Sequence, residues 1–431
     1  MDPLLAGLDL GTSGIRLGVF DRHGRPVARE QRSYPAAPEQ DAEAWYAAAI
    51  DCLECVRDLP ITALGIGGQG PTLVATDEAL RPVAPAVTWL DTRATQHAER
   101  LSRLIGRDVR ESIVPRALWL QEHAPDAFAR TRWLFSAWDY LASRLVGRPV
   151  SLLETPRDVV VASGLPADRF PPFVQPPAVI GQRKDIRMVG CFVDSFNGLA
   201  GAGVHRRGQG CLNAGNSGTI TIFCAPEQST IDVFGRPAAS RLVSSTGTIL
   251  DSLLRLFGPA ADLEGLIDEA AHSPPGANGL VCLPYVTGGR PPLIPEAATG
   301  MFAGLRLHHT RADLVRAALE GSAFTFKLAL DDLVRVGIAV DELRICGGQA
   351  RSRLWNEIKA SALGQELGVP AVADSAMLGC ALLAGVAVGQ FDSLDEAVSR
   401  MVQVPETVSP RWEYTEPFVR WRARFDAATR L

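Results

Sequence analysis

The chain opens on an apolar run, Leu4 to Leu10, interrupted by one acid at Asp9 and closed by the small turn Gly11-Thr12-Ser13-Gly14. Ile15 to Phe20 then alternates, Asp21-Arg22-His23-Gly24 supplies a second turn, and Pro26-Val27-Ala28 begins a third apolar stretch. This pattern predicts a β-meander with a hydroxyl-rich turn near its tip. A similar passage returns halfway along: Leu212-Asn213-Ala214-Gly215-Asn216-Ser217-Gly218, followed by the β-rich run Thr219 to Cys224. The echo predicts two halves of like construction, each opening with a hairpin whose turn faces a common cleft, although Gly/Ser turns also recur by chance.

Helical spacing of apolar residues predicts helices over 41–57, 96–105, 117–123 and 137–145 in the first half. The second half carries such patterns at 249–256, 260–271, 312–336, 354–367, 377–388 and 393–401. Thr310-Arg311-Ala312-Asp313 forms a capping box for the longest of these. Strands are predicted at 281–283 and 343–345. Residues 146–186 are Pro-rich and poorly periodic, which predicts a loop region or the remnant of a small inserted subdomain. Strands alternating with helices in both halves imply α/β domains.

Composition narrows the function classes. A length of 431 residues suits two or three domains. A net charge of −5 excludes a polybasic nucleic-acid or membrane-surface binder, so neither partner is expected. Hydrophobic residues make up 47%, enough to bury large cores. No run approaches the ~18 apolar residues of a membrane helix. The first residues lack the basic stretch and cleavage site of a secretory leader. Eight cysteines are too sparse for a disulfide framework, and Cys52 and Cys55 lie on helical spacing with no second pair to complete a zinc site. A reduced, cytoplasmic protein is the expectation.

Three turns suit a phosphate or a nucleotide. Gly11-Thr12-Ser13-Gly14 offers backbone N–H groups and hydroxyls, with Arg16 as a nearby cation. Asp9 could hold Mg²⁺ through waters. Gly215-Asn216-Ser217-Gly218 is an element of the same kind, and either turn alone also suits an ordinary hairpin. The third is Leu343 to Ala350, where Gly347 and Gly348 would let a base or ribose lie on the backbone. Ser352 is a plausible N-cap, and Asn356 could reach an adenine. Gly65-Ile66-Gly67-Gly68-Gln69-Gly70, with Asp91 further on, matches the dinucleotide fingerprint in letters only. A strand pattern follows it where a helix N-terminus is required. No Walker motif is present.

Phosphoryl transfer to a hydroxyl needs a carboxylate to accept the proton. Asp194 ends the apolar stretch 188–193 and precedes the small-residue run Gly198 to Gly203. It is the best candidate base, and the same position suits a helix N-cap.

These residues resemble the FGGY carbohydrate kinases of the actin-like ATPase superfamily, and most of all their xylulokinase branch. The likeness covers nearly the whole chain. It is carried by stretches 7–21, 65–94, 283–321 and 345–358, the Asp194 segment and Gly215 to Gly218, with 21 positions from Asp194 to Gly215. The resemblance implies an α/β fold of two actin-like (ribonuclease H-like) domains with an interdomain cleft. The division is 1–207, binding sugar, and 208–431, binding nucleotide. It implies ATP-dependent phosphorylation of a ketopentose or related sugar or polyol, with D-xylulose as first acceptor, Mg²⁺ as cofactor, and a monomer or homodimer. A non-catalytic sugar or nucleotide sensor on the same fold is the alternative. Asp194 then matches the base, and Gly11, Thr12, Ser13, Arg16, Gly215, Asn216 and Ser217 the phosphate loops. Gly347, Gly348, Gln349 and Asn356 match the adenosine motif, and Asp9 the acid near Mg²⁺. Gln69, Gly70, Trp89, Asp91, Asp194 and Ser195 match the sugar side. Some positions depart from the family. The sugar loop reads Gln69-Gly70-Pro71-Thr72 where xylulokinases carry Gln-Met-His-Gly. Asn216 replaces Thr, and Gly289 replaces Glu, while Arg290 remains.

Overall fold

The computed structural model describes residues 3–429. They form two compact units. One holds the chain up to Gly201 together with Ala376–Val402, the other Ala202–Ser375 and the chain from Gln403 onward. The backbone therefore changes unit at 201/202, 375/376 and 402/403.

The first unit is built on a six-stranded sheet. Its strands are β1 (Leu4–Gly11), β2 (Gly14–Phe20), β3 (Pro26–Ser33), β4 (Ile61–Gly68), β5 (Ala178–Arg183) and β6 (Ile186–Val193), in the order β3-β2-β1-β4-β6-β5. The first three form the meander, and β1, β4 and β6 run parallel. Every residue of β1 is buried, which is why it reads as a continuous apolar run rather than an alternation. Leu8, Leu10, Ile15, Leu17, Trp45, Ile66 and Trp138 pack in its core. The Ser375–Ala387 helix lies so close to this sheet that side chains are excluded. A Cβ on Gly7 would come within 1.9 Å of the Met377 carbonyl oxygen, and one on Gly65 within 2.0 Å of that of Cys380. A four-stranded sheet of Glu39–Gln40, Ala86–Val87, Leu73–Thr76 and Trp133–Ser136 completes the unit's β structure.

The second unit repeats the plan. Its strands are β7 (Gln209–Ala214), β8 (Gly218–Phe223), β9 (Ile231–Val233), β10 (Arg236–Val243), β11 (Glu342–Cys346), β12 (Leu367–Val369) and β13 (Glu406–Val408). They are ordered β9-β10-β8-β7-β11-β12-β13. The antiparallel trio β10-β8-β7 followed by parallel β11 and β12 matches β3-β2-β1 followed by β4 and β6. The echo read from two turns is thus a duplication of topology. The Arg311–Arg335 helix runs through this unit, opened by the expected capping box. Within its core Arg316 Nε donates to Glu320 Oε1 at 2.7 Å, and Tyr414 Oη donates to the same oxygen at 2.8 Å.

Two expectations are corrected. Residues 146–186 are not loop alone: they contain the Arg157–Ser163 helix and β5. An edge strand that buries only Ile180 shows no period to read. The helix expected over 354–367 ends at Leu363, because Gly364 turns left-handed (φ +67°) and Leu367 enters β12. Among the described residues no helix is long and apolar enough to cross a membrane.

Candidate active site

Asp9 and Arg16 face each other across the β1–β2 ladder, with Arg16 Nη2 3.0 Å from Asp9 Oδ2. Asp9 is 2% exposed, so its charge is held in low dielectric and depends on that partner. Asp194 starts the Asp194–Gly201 helix where β6 ends. Its Oδ1 accepts from the adjacent Ser195 N–H at 2.6 Å. The corner is fixed by Asn197, which donates from Nδ2 to the Phe192 carbonyl (2.6 Å) and accepts at Oδ1 from the Phe192 N–H (3.1 Å). Gly67 makes room for that clamp: a Cβ there would lie 2.0 Å from Asn197 Nδ2. Removal from water, and next the negative charge of Asp9, raise the pKa of Asp194 to about 7 against the opposing pull of Ser195 N–H and Arg16. A carboxyl titrating near neutrality is suited to accepting a proton from an alcohol.

The turn Gly11 to Gly14 is fastened from outside. Tyr34 Oη donates to the Gly11 carbonyl (2.7 Å), and the Tyr34 N–H donates to the Ser13 carbonyl (3.1 Å). Gln40 Nε2 donates to the Thr12 carbonyl at 2.8 Å, and Trp89 Nε1 donates to Thr12 Oγ1 at 2.8 Å. Ser13 is exposed at the tip. Gln69 is buried, its Nε2 3.4 Å from Gln40 Oε1 and its N–H on the Leu10 carbonyl (2.7 Å). Gly70 lies under the Trp138 ring, 2.8 Å from where a Cβ would stand. Asp91 is buried and already neutralised by Arg93, whose Nε sits 2.9 Å from Asp91 Oδ2 while its guanidinium stacks on Trp119.

In the second unit the equivalent turn is neutral. The Gly215 N–H donates to the Ser217 carbonyl (3.0 Å), and the Asn216 carbonyl accepts from Gly247 N–H (2.9 Å). The Gly215 carbonyl accepts from Gln349 Nε2 (2.6 Å) and Thr246 Oγ1 (3.1 Å), which joins this turn to the Gly347–Gly348 turn. Gly347 has φ +90° and a Cβ there would stand 2.5 Å from the Ala214 carbonyl oxygen, so only glycine fits. Gly348 faces open space. Ser352 caps the following helix by accepting from Trp355 N–H at 3.2 Å. Asn356 is buried and donates from Nδ2 to the Ala350 carbonyl (2.8 Å), shaping the turn from within.

The structure thus gathers Asp9, Thr12, Arg16, Gln69, Trp89 and Asp194 in one unit and Gly215, Asn216, Gly347 and Gln349 in the other. Tyr34, Gln40 and Thr246 went unread. Thr246 sits in the hydroxyl run Ser244-Ser245-Thr246, a signal that was available, whereas nothing local marks Tyr34 or Gln40. Gly65 and Gly67 lie inside β4, and the strand Leu73–Thr76 follows, so these glycines serve packing and present no helix N-terminus.

Comparison with known proteins agrees with this geometry. Residues 4–164 match the N-terminal domain of the FGGY family of carbohydrate kinases, and residues 232–388 its C-terminal domain. The chain belongs to the FGGY family of carbohydrate kinases. It is accordingly a phosphotransferase with an alcohol group as acceptor and ATP as co-substrate. A xylulose kinase of Streptomyces rubiginosus is 29% identical, covering 95% of this chain and 91% of the relative. Among solved structures, a ligand-bound xylulose kinase from Lactobacillus acidophilus superposes with a TM-score of 0.83 at 18% identity, covering 99% of this chain and 97% of that one. A gluconate kinase from the same organism gives 0.82 at 20% identity, covering 99% and 96%. Two differently named kinases fit the fold equally well, so the fold by itself does not select the acceptor.

Proposed function

We propose that this kinase transfers the γ-phosphoryl group of ATP to a hydroxyl of a ketopentose or related sugar or polyol, with D-xylulose as the first acceptor to test. The observation that carries the reading is Asp194: a carboxyl at a strand end whose surroundings bring it to titrate near 7. In this reading Asp194 takes the hydroxyl proton as the alcohol oxygen attacks. Thr12, Ser13 and Arg16 stabilise the charge on the phosphoryl group, and Gly215, Asn216 and Ser217 present backbone and side-chain donors to the rest of the polyphosphate. Gly347, Gly348, Gln349 and Asn356 form or shape the adenosine side. Gln69, Gly70, Trp89 and Asp91, with Ser195, form or frame the sugar side. Asp91 acts there through its pairing with Arg93.

The acids fit a hard dication. Asp9 is a buried carboxylate whose charge is felt at Asp194, and oxygen ligands of this kind suit Mg²⁺. Asp9 would hold the ion through water, and Mg²⁺ when bound would neutralise phosphate charge. All eight cysteines are free thiols, which suits a reduced, cytoplasmic setting, where we place the protein as a monomer or homodimer.

The test is coupled ADP release over a panel of ketoses, alditols and aldoses. Stimulation led by D-xylulose is the expected result. A flat panel with intact ATP binding would overturn it in favour of a sugar or nucleotide sensor.

A further inference from the structure

We propose that Trp89 is a positioning residue for phosphoryl transfer, acting through Thr12 in addition to any contact with the sugar. A threonine hydroxyl has one proton to give and two lone pairs to receive. Trp89 Nε1 has only a proton to give, and it lies 2.8 Å from Thr12 Oγ1. Thr12 Oγ1 must therefore accept from Trp89, and its own proton is left for an outside acceptor. The backbone of the same residue is pinned independently, since the Thr12 carbonyl receives Gln40 Nε2 at 2.8 Å. With the main chain fixed and one lone pair engaged, the Thr12 hydroxyl is held in place with its proton free to be donated. That is the role a phosphate oxygen requires, and preorganised donors lower the barrier because they need no reorientation during transfer.

The bond spans 77 positions of sequence and links the segment 65–94 to the turn at 11–14. Trp89 itself is held by its backbone, its N–H donating to Thr72 Oγ1 at 3.3 Å. Trp89 is half-buried, so its ring keeps an accessible surface while its N–H is committed. The inference rests on the kinase reading above for the identity of the phosphate that Thr12 meets.

The test is a double-mutant cycle on Trp89→Phe and Thr12→Val, read as kcat with both substrates saturating and as KM for each. Loss of one oriented hydrogen bond predicts a fall of roughly tenfold in kcat for Trp89→Phe. The double variant should be no slower than Thr12→Val alone, and Thr12→Ser should retain most of the activity. A Trp89→Phe enzyme with altered KM for sugar only, or strictly multiplicative effects in the cycle, would overturn the proposal. If phenylalanine at this position fails to fold, β-(3-benzothienyl)alanine in place of Trp89 keeps the ring shape and removes only the N–H, with the same fall expected. The cycle is also read by calorimetry as affinity for a non-hydrolysable ATP analogue. Coupled losses there support the positioning role even if the wild-type protein phosphorylates no sugar on the panel, and additive losses refute it.

Discussion

The two glycine turns occupy equivalent places in duplicated sheets, yet they are chemically unlike. The turn at 11–14 stands beside a buried acid, its arginine partner and a second acid, and it is fastened by side chains from distant segments. The turn at 215–218 is held by backbone groups, one hydroxyl and one amide, none of them charged. The units differ in the same way over buried charge. The first places Asp9 at the site, while the second places Glu320 in its core, bonded to Arg316, Tyr414 and the Gly276 N–H. Duplication supplied two turns of like topology, and the first of them lies beside paired charged groups.

The sharpest way to break this comparison is at Asp194. Asp194→Asn should lower sugar-dependent kcat by about 10²–10⁴-fold while ATP affinity persists, checked by coupled assay and calorimetry. The same variant has a stability signature. Because folding raises the pKa of Asp194 to about 7, the folded state binds the extra proton between the ordinary carboxylate range and pH 7. The contribution of this group is then complete at low pH and is lost as pH rises through about 7. Thermal melts should show Asp194→Asn more stable than wild type at pH 8, with the gap closing toward pH 5. Activity of the wild type should rise over the same interval, since the carboxylate is the form that accepts the proton.

Next in size is Glu320→Ala. Leaving Arg316 buried without its carboxylate should cost about 3–5 kcal/mol in denaturant unfolding, with kcat per folded molecule unchanged. Arg16→Gln should lower kcat about 10²-fold when charge near the phosphoryl group is removed, with some loss of stability as well because buried Asp9 loses this partner. The smallest effect is expected for Asn216→Ala, whose exposed side chain touches the neutral turn: a change of roughly threefold or less in KM for ATP. A larger loss at Asn216 than at Arg16 would invert the proposed roles of the two turns.

The elements legible in the sequence were those with local signatures. The β1–β2 hairpin, the capped Arg311–Arg335 helix and Ser352 as a cap each follow from residues within a few positions of one another. Asp9, Arg16 and Asp194 were legible because an acid or a base stands out against an apolar run. The fastening of the turns was not. Tyr34 reaches Gly11 over 23 positions, and Gln349 reaches Gly215 over 134, distances at which no period or spacing survives. The same holds for Ala376–Val402. Its helical pattern was plain, but nothing in it announced membership of the first unit.

That membership bears on how the protein is made. The glycine-lined face of β1 and β4 that receives Met377 and Cys380 is synthesised within the first seventy residues, and its cover emerges from the ribosome some three hundred residues later. The nascent first unit must wait, with that face unclad, until the Ser375–Ala387 segment has been made. A chain cut at the visible midpoint would therefore yield no self-sufficient half.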